Sequence, residues 1–224
     1  MKILVIADEE SKSLYDFYTP DKLEGVDLII SCGDLDARYL EFLVTMKTVP
    51  LLYIPGNHDS HYVQKPPEGC IPIDGKIYDF NGVRILGFGG SMKYKPGPYM
   101  YTEKEMAKRI RSATPGIVLH KGFDILVTHA PAKGYGDMDD LPHNGFQCFE
   151  SLIDFYQPSY MLHGHVHQSY TASFKRETKH PGGTTIINAF TKYMLEFDEN
   201  NFRIPGTKEN LSDFFEIFNA KRSN

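Results

Sequence analysis

Metal-capable side chains recur in this sequence at one kind of place, directly after short apolar runs. "KILVIA" gives way to Asp8, "DLIISC" to "GD" with Asp34, and "LLYIP" to "GNHD" with Asn57, His58 and Asp59. "FDILVT" ends on His129, and "SYMLHGHVH" runs into His163, His165 and His167. Each piece alone is an ordinary polar turn. Recurrence after five buried-looking runs is a pattern, and a mixed Asp/Asn/His set without thiolate is donor chemistry for divalent ions of intermediate hardness, such as Mn²⁺, Fe or Zn²⁺. The opening "DEE" (8–10) raises the same question. Successive carboxylates repel unless water or a cation neutralises them.

Positioning such groups requires a sheet. The runs 3–7, 27–32 and 51–55 are almost continuously apolar, as in parallel strands buried on both faces. Helical segments are expected around 11–18 and over 37–47, so the first quarter reads βαβαβ with right-handed crossovers. Residues 76–80 and 83–90 flank the turn Asn81-Gly82 as a hairpin. Thr102 and Glu105 form a capping-box pattern for a helix over 102–113. Strands are expected at 123–129 and 159–167 and a helix at 146–156, stopped before Pro158. Two or three strands over 170–198 and a short amphipathic helix at 212–222 complete the reading. In open α/β sheets ligands gather at the carboxyl ends of the strands, so the polar groups converge on one rim.

The 224 residues suffice for one domain with a large core, taken as 1–224. The formal net charge of -5 and the lack of a basic tract argue against a nucleic-acid polymer as partner. Three widely spaced cysteines suggest neither a disulfide framework nor a zinc ribbon. With no signal-like start and no apolar run of membrane length, a cytoplasmic protein is expected, with no membrane partner.

Asp8, "GD" (33–34), "GNHD" (56–59), "TH" (128–129) and "GHVH" (164–167), in this order and spacing, resemble the motif series of the calcineurin-like metallophosphoesterases over residues 1–189. "THAPAKGYGD" followed by a helix, a proline and "HGHVH" is also similar to a branch of small phosphodiesterases and brain-type metallophosphoesterase proteins. The resemblance implies an α/β fold, a four-layer α/β/β/α sandwich of two mixed sheets flanked by helices. It implies two divalent ions, Mn²⁺ favoured, with Asp34 bridging both. Asp8 and His167 would hold the first; Asn57, His129 and His165 would hold the second. His58 would be the acid at the leaving oxygen, oriented by Asp59. Two ions about 3.5–4 Å apart can clamp a phosphate and acidify a shared water, whose hydroxide attacks phosphorus in line. The implied activity is a phosphodiesterase on a small phosphorylated substrate, with phosphomonoesterase activity on the same site as the alternative.

One position departs from the motif. The family's first motif is Asp-x-His, and its histidine is a ligand; here Glu10 stands in that place. A carboxylate can substitute, lowering the net charge of the site and favouring harder ions such as Mn²⁺. A disabled first metal site in a non-catalytic scaffold is the other reading. Glu9 is expected to point into solvent. The loop 89–101, with Lys93, Tyr94, Lys95, Tyr99 and Tyr101, is a candidate to fold over the site. The loop 133–145, with Asp137, Asp139, Asp140 and His143, could line the pocket, but as a charge run it is expected to be a solvated surface.

Overall fold

The computed structural model describes residues 1–170 and 174–197. In chain order the elements are β1 (Lys2–Ala7), β2 (Leu28–Ser31), α1 (Ala37–Met46), β3 (Leu51–Tyr53), β4 (Ile71–Pro72), β5 (Ile77–Phe80) and β6 (Val83–Phe88). They continue with β7 (Ser91–Met92), β8 (Met100–Tyr101), α2 (Glu103–Leu119), β9 (Ile125–Thr128), α3 (Gln147–Tyr156) and β10 (Tyr160–His163). The last are β11 (Glu177–Lys179), β12 (Thr185–Asn188) and β13 (Thr191–Glu196).

Two sheets result. One has the order β13-β1-β2-β3-β4, parallel from β1 to β4 with β13 antiparallel at its edge. The other has the order β11-β12-β10-β9-β6-β5, parallel in its middle with antiparallel β5 and β11 outside. Alternation along each strand sorts its apolar residues into separate cores. Ile3, Val5, Ile30 and Leu52 face Ile85, Ile125, Val127 and Leu162 of the other sheet. Leu4, Ile6, Ile29 and Leu51 face outward onto Tyr39, Leu40 and Leu43 of α1. On the far side Leu86, Leu126 and Met161 meet Met106 and Ile110 of α2 and Phe149 and Leu152 of α3. The layers are therefore α/β/β/α, the expected fold, and the near-continuous hydrophobicity follows from strands covered on both faces.

Local chemistry explains most boundaries. Asp36 caps α1 by accepting from the Arg38 N–H at 2.9 Å. The Thr102–Glu105 capping box is closed in both directions. Asn81 and Gly82 both take positive φ, 54° and 86°, as a type I′ hairpin turn requires. Gln157 ends α3 in the left-handed region just before Pro158. The helix expected at 11–18 does not form. Ser11 C=O accepts from Leu14 and Tyr15, Lys12 C=O accepts from Phe17, and a 3₁₀ turn follows at Pro20–Leu23. Eight residues ending just before Thr19-Pro20 are too few to offset helix nucleation. The helix expected at 212–222 lies outside the described residues. No helix among the described residues is long and apolar enough to cross a membrane.

Candidate metal centre

The carboxyl ends of the parallel strands of both sheets face the same rim. Asp8 follows β1, Asp34 follows β2, Asn57 follows β3, His129 follows β9, and His165 and His167 follow β10. Six of the seven expected ligand positions converge there, and all but His129 line one cavity of about 230 Å³. His129 lies beneath it, fully buried.

The backbone turns abruptly to aim these side chains. Asp8, Asp34 and His165 have φ of 66°, 57° and 69°, the left-handed region that residues with a Cβ seldom adopt. Glycine makes room between them. A Cβ on Gly164 would sit 2.6 Å from Asp8 Oδ2, and one on Gly56 would overlap Asp34 Oδ1. Asp59, buried, ties the loops together: its Oδ2 accepts the Asp34 N–H at 2.8 Å and the Gly56 N–H at 2.7 Å. Asp59 thus grips the backbone of two ligand loops, a job different from the expected orientation of the His58 ring. His58 donates its backbone N–H to Asp34 Oδ1 at 2.7 Å, and its exposed side chain borders the cavity.

Hydrogen bonds on the far side of each imidazole determine what its near side offers. His129 Nδ1 lies 2.8 Å from the Cys32 C=O, so in the neutral ring Nδ1 carries the proton and Nε2 presents a lone pair. His165 Nε2 lies 2.8 Å from the Pro142 C=O, so its lone pair is on Nδ1. Those two lone-pair nitrogens are 3.2 Å apart. Around His129 Nε2 stand two more acceptors, Asn57 Oδ1 at 3.0 Å and Asp34 Oδ2 at 3.3 Å. Nearby, Asp8 Oδ1 accepts the His165 N–H at 2.7 Å and lies 4.0 Å from His167 Nε2. Asp8 Oδ2 is buried with no hydrogen-bond partner among the described residues.

Acceptors facing acceptors repel unless a proton on His129 Nε2 or a cation lies between them. Ligand atoms each about 2.1 Å from one ion stand about 3–4 Å apart, the spacing seen here. The donor set therefore fits divalent metal. Without a cation the electrostatics are strained. Burial raises the Asp8 carboxyl to about 7 against the opposing His129 charge and His165 N–H. His129 is raised to about 9: burial opposes its charge, but the carboxylates of Asp34 and Asp8 outweigh it. Burial pushes Asp34 up, yet the His129 charge and hydrogen bonds from His129 and His58 hold it well below the usual carboxylate range. Burial and the His129 charge keep His165 neutral.

The structure does not bring Glu10 to this cluster. Its carboxyl is raised by burial and by Asp36 and Asp16, opposed by Arg38, and it is absent from the cavity lining. Among the charges that act on His167, Asp34 comes first and Glu9, exposed as expected, last. The charges that act on Glu10 are those of Asp36, Arg38 and Asp16, at the start of α1 and in the loop between β1 and β2.

Of the two loops, the first gives Tyr94 and the second gives Pro142 and His143 to the cavity wall. Tyr99 packs toward α1, Tyr101 stacks on Arg109, and Asp137 accepts from the Gly134 and Gly145 N–H groups. The sequence reading missed Tyr170, which also lines the cavity. Its signal was spacing. It stands three residues after His167 on the 3₁₀ turn Gln168–Tyr170, where side chains at i and i+3 eclipse. The two rings accordingly stack at 4.6 Å and 11°. A second carboxylate–histidine group, Glu150, Asp154 and His180, has different chemistry. His180 Nδ1 accepts the Gly182 N–H at 3.0 Å, so Nε2 holds the proton and donates to Asp154. In this tautomer His180 offers no free lone pair to an ion.

Comparison with known proteins agrees with this geometry. A UPF0046 protein of Caenorhabditis elegans is 24% identical over 214 aligned residues, covering 78% of this chain and 69% of that protein. TT1561 of Thermus thermophilus has a similar structure, with a TM-score of 0.57 at 16% identity over 85% of this chain and 89% of its own. GAP50, the anchor in the inner membrane complex of Plasmodium, has a TM-score of 0.50 at 11% identity over 84% of this chain and 70% of its own. A family model described as calcineurin-like phosphoesterase matches residues 1–169. That match runs from β1 through every loop that supplies the cluster, and the chain belongs to the calcineurin-like phosphoesterase family.

Proposed function

We propose that the protein is a metal-dependent phosphodiesterase holding two divalent ions. The observation that carries this reading is the meeting of lone pairs at His129 Nε2, His165 Nδ1, Asn57 Oδ1 and Asp34 Oδ2, beside the unpartnered Asp8 Oδ2. Asp34, Asn57, His129 and His165 would hold one ion; Asp8, Asp34 and His167 would hold the other. Oxygen and imidazole donors without sulfur favour Mn²⁺, with Fe and Zn²⁺ as the competing ions. When bound, such ions polarise phosphoryl oxygens and acidify water.

The chain's own groups supply the rest. Asp59 holds the Asp34 and Asn57 loops in register through their backbones. His58, exposed at the cavity rim, would protonate a departing alkoxide, which needs that proton far more than a phenolate does. A diester is the preferred substrate of this reading and a monoester the competing one. The small cavity suits a small phosphorylated substrate and not a nucleic-acid polymer.

The test is hydrolysis of a chromogenic phosphodiester and the matching monoester by metal-stripped protein resupplied with Mn²⁺, Fe²⁺, Zn²⁺ or Mg²⁺. Activity that returns with one metal and is lost in Asp34→Ala supports the reading, and His58→Ala is expected to impair mainly a diester whose leaving group is an alkoxide. Silence with every ion, together with failure to bind two, supports a non-catalytic scaffold instead.

A further inference from the structure

The cavity beside the metal cluster is walled by rings. Tyr170 lies flat on His167, with ring centroids 4.6 Å apart, so one of its faces is taken. His143 leans on its edge at 4.9 Å and 58°. Tyr170 nevertheless keeps 44% of its surface exposed and lines the cavity. Tyr94, on the 89–101 loop, lines the same cavity with the Lys95 ammonium 5.1 Å from its ring centre. The loop is tied down: β7 and β8 pair at its base, and Arg109 binds Gly89 C=O at 2.9 Å. Tyr170 is also close to the charged centre. Its hydroxyl is raised by burial and then by the charges of Asp8 and Asp34.

An aromatic face stacked on a metal-ligand imidazole has a consequence for whatever phosphorus carries. A phosphoryl group seated at Asp8, Asp34 and Asn57 puts its substituents directly against these rings. The cavity, about 230 Å³, is smaller than most ligand sites, so it encloses the phosphoryl group and little more than one flat group. A planar π-system continues the His167–Tyr170 stack, whereas a flexible alkyl chain gains no stacking there.

We propose that Tyr170 and Tyr94 form a subsite for a planar aromatic group carried on the phosphoryl ligand, so that the substrate is a nucleoside or aryl phosphoester and not an alkyl one. This rests on the phosphoester reading above.

The test is calorimetric binding to Mn²⁺-loaded protein, with no turnover involved. The probes are inorganic phosphate, methylphosphonate, phenylphosphonate and a nucleoside 5′-monophosphate. The wild type binds the aromatic probes roughly 5- to 100-fold more tightly than methylphosphonate. Tyr170→Leu abolishes that preference while inorganic phosphate affinity stays unchanged, and Tyr170→Phe retains it. Tyr94→Leu reduces it in part. The phenyl and nucleoside arms decide which aromatic source the subsite takes. Equal binding of methyl and phenyl probes by the wild type overturns the inference and leaves the phosphoester reading intact. Loss of phosphate affinity in Tyr170→Leu overturns it too, since Tyr170 then only supports His167. No binding of inorganic phosphate by the wild type overturns the phosphoester reading itself, and the subsite with it.

Discussion

Asp8→Asn is expected to stabilise the metal-free protein and to weaken its response to metal. The Asp8 carboxyl is raised by burial from 3.8 to about 7. The folded chain therefore keeps its proton to higher pH than the unfolded chain. Through the window from 3.8 to about 7 the folded state binds more protons, so Asp8 makes stability fall as pH rises, and the loss is complete above about 7. Three units correspond to a ceiling of about 4 kcal/mol. Asparagine keeps the oxygen that accepts the His165 N–H, but places an amide N–H where Oδ2 has no partner, at a cost of about 1–3 kcal/mol. The net is a gain of about 1–2 kcal/mol near pH 8 and a loss near pH 4, where Asp8 is already largely neutral.

The assay is urea denaturation of wild type and variant in chelator and in Mn²⁺ at both pH values. Metal at about 100-fold over its Kd stabilises the wild type by about 2.7 kcal/mol per site. The variant gains less, so the order of stability reverses when metal is added. If Asp8→Asn is the less stable protein in chelator near pH 8, burial of this charge is not a source of strain. If its gain from Mn²⁺ equals the wild type's, Asp8 is not a ligand.

His58→Ala lowers kcat on a diester with an alkoxide leaving group by about 10²–10⁴, with a much smaller loss on a nitrophenyl diester, while metal content by atomic absorption stays at the wild-type value. Glu10→Ala leaves metal stoichiometry and affinity unchanged in a chelator competition; a loss of about tenfold would return Glu10 to the ligand set. Asp59→Ala strips the acceptor from the buried Asp34 and Gly56 N–H groups and costs about 2–4 kcal/mol in urea denaturation. Asp59→Asn retains an acceptor oxygen and recovers part of it.

The parts legible in the sequence are those that local chemistry dictates. Apolar runs that end in Asp8, Asn57 or His129 announce both a buried strand and the rim where it stops. The hairpin at Asn81-Gly82 and the cap at Thr102 need only their own few residues. Side-chain direction was not legible, because it depends on turns that no period predicts. Asp8 takes a left-handed φ, and the charges acting on Glu10 beyond it are those of Asp36, Arg38 and Asp16. Asp59 sits next to His58 in sequence, yet its carboxylate turns inward to two backbone N–H groups on different loops. Tyr170 belongs to the cavity only because a 3₁₀ turn brings it over His167.

The site combines several costly features. Three residues of the cluster hold left-handed backbones, a buried carboxylate oxygen has no partner among the described residues, and His129 Nε2 stands 3.2 Å from His165 Nδ1. Backbone strain of this kind costs about 1–3 kcal/mol per residue. It is borne by the apolar interior between the sheets, in which Ile3, Ile30, Leu52, Ile125 and Leu162 are fully buried. A cation relieves the electrostatic part of the strain but not the backbone part. The turns are set by sheet register, by Gly56 and Gly164, and by the Asp59 bonds, all of them contacts within the polypeptide. Metal binding should therefore change stability strongly and backbone conformation little, because the polypeptide has already spent its conformational freedom in aiming the ligands.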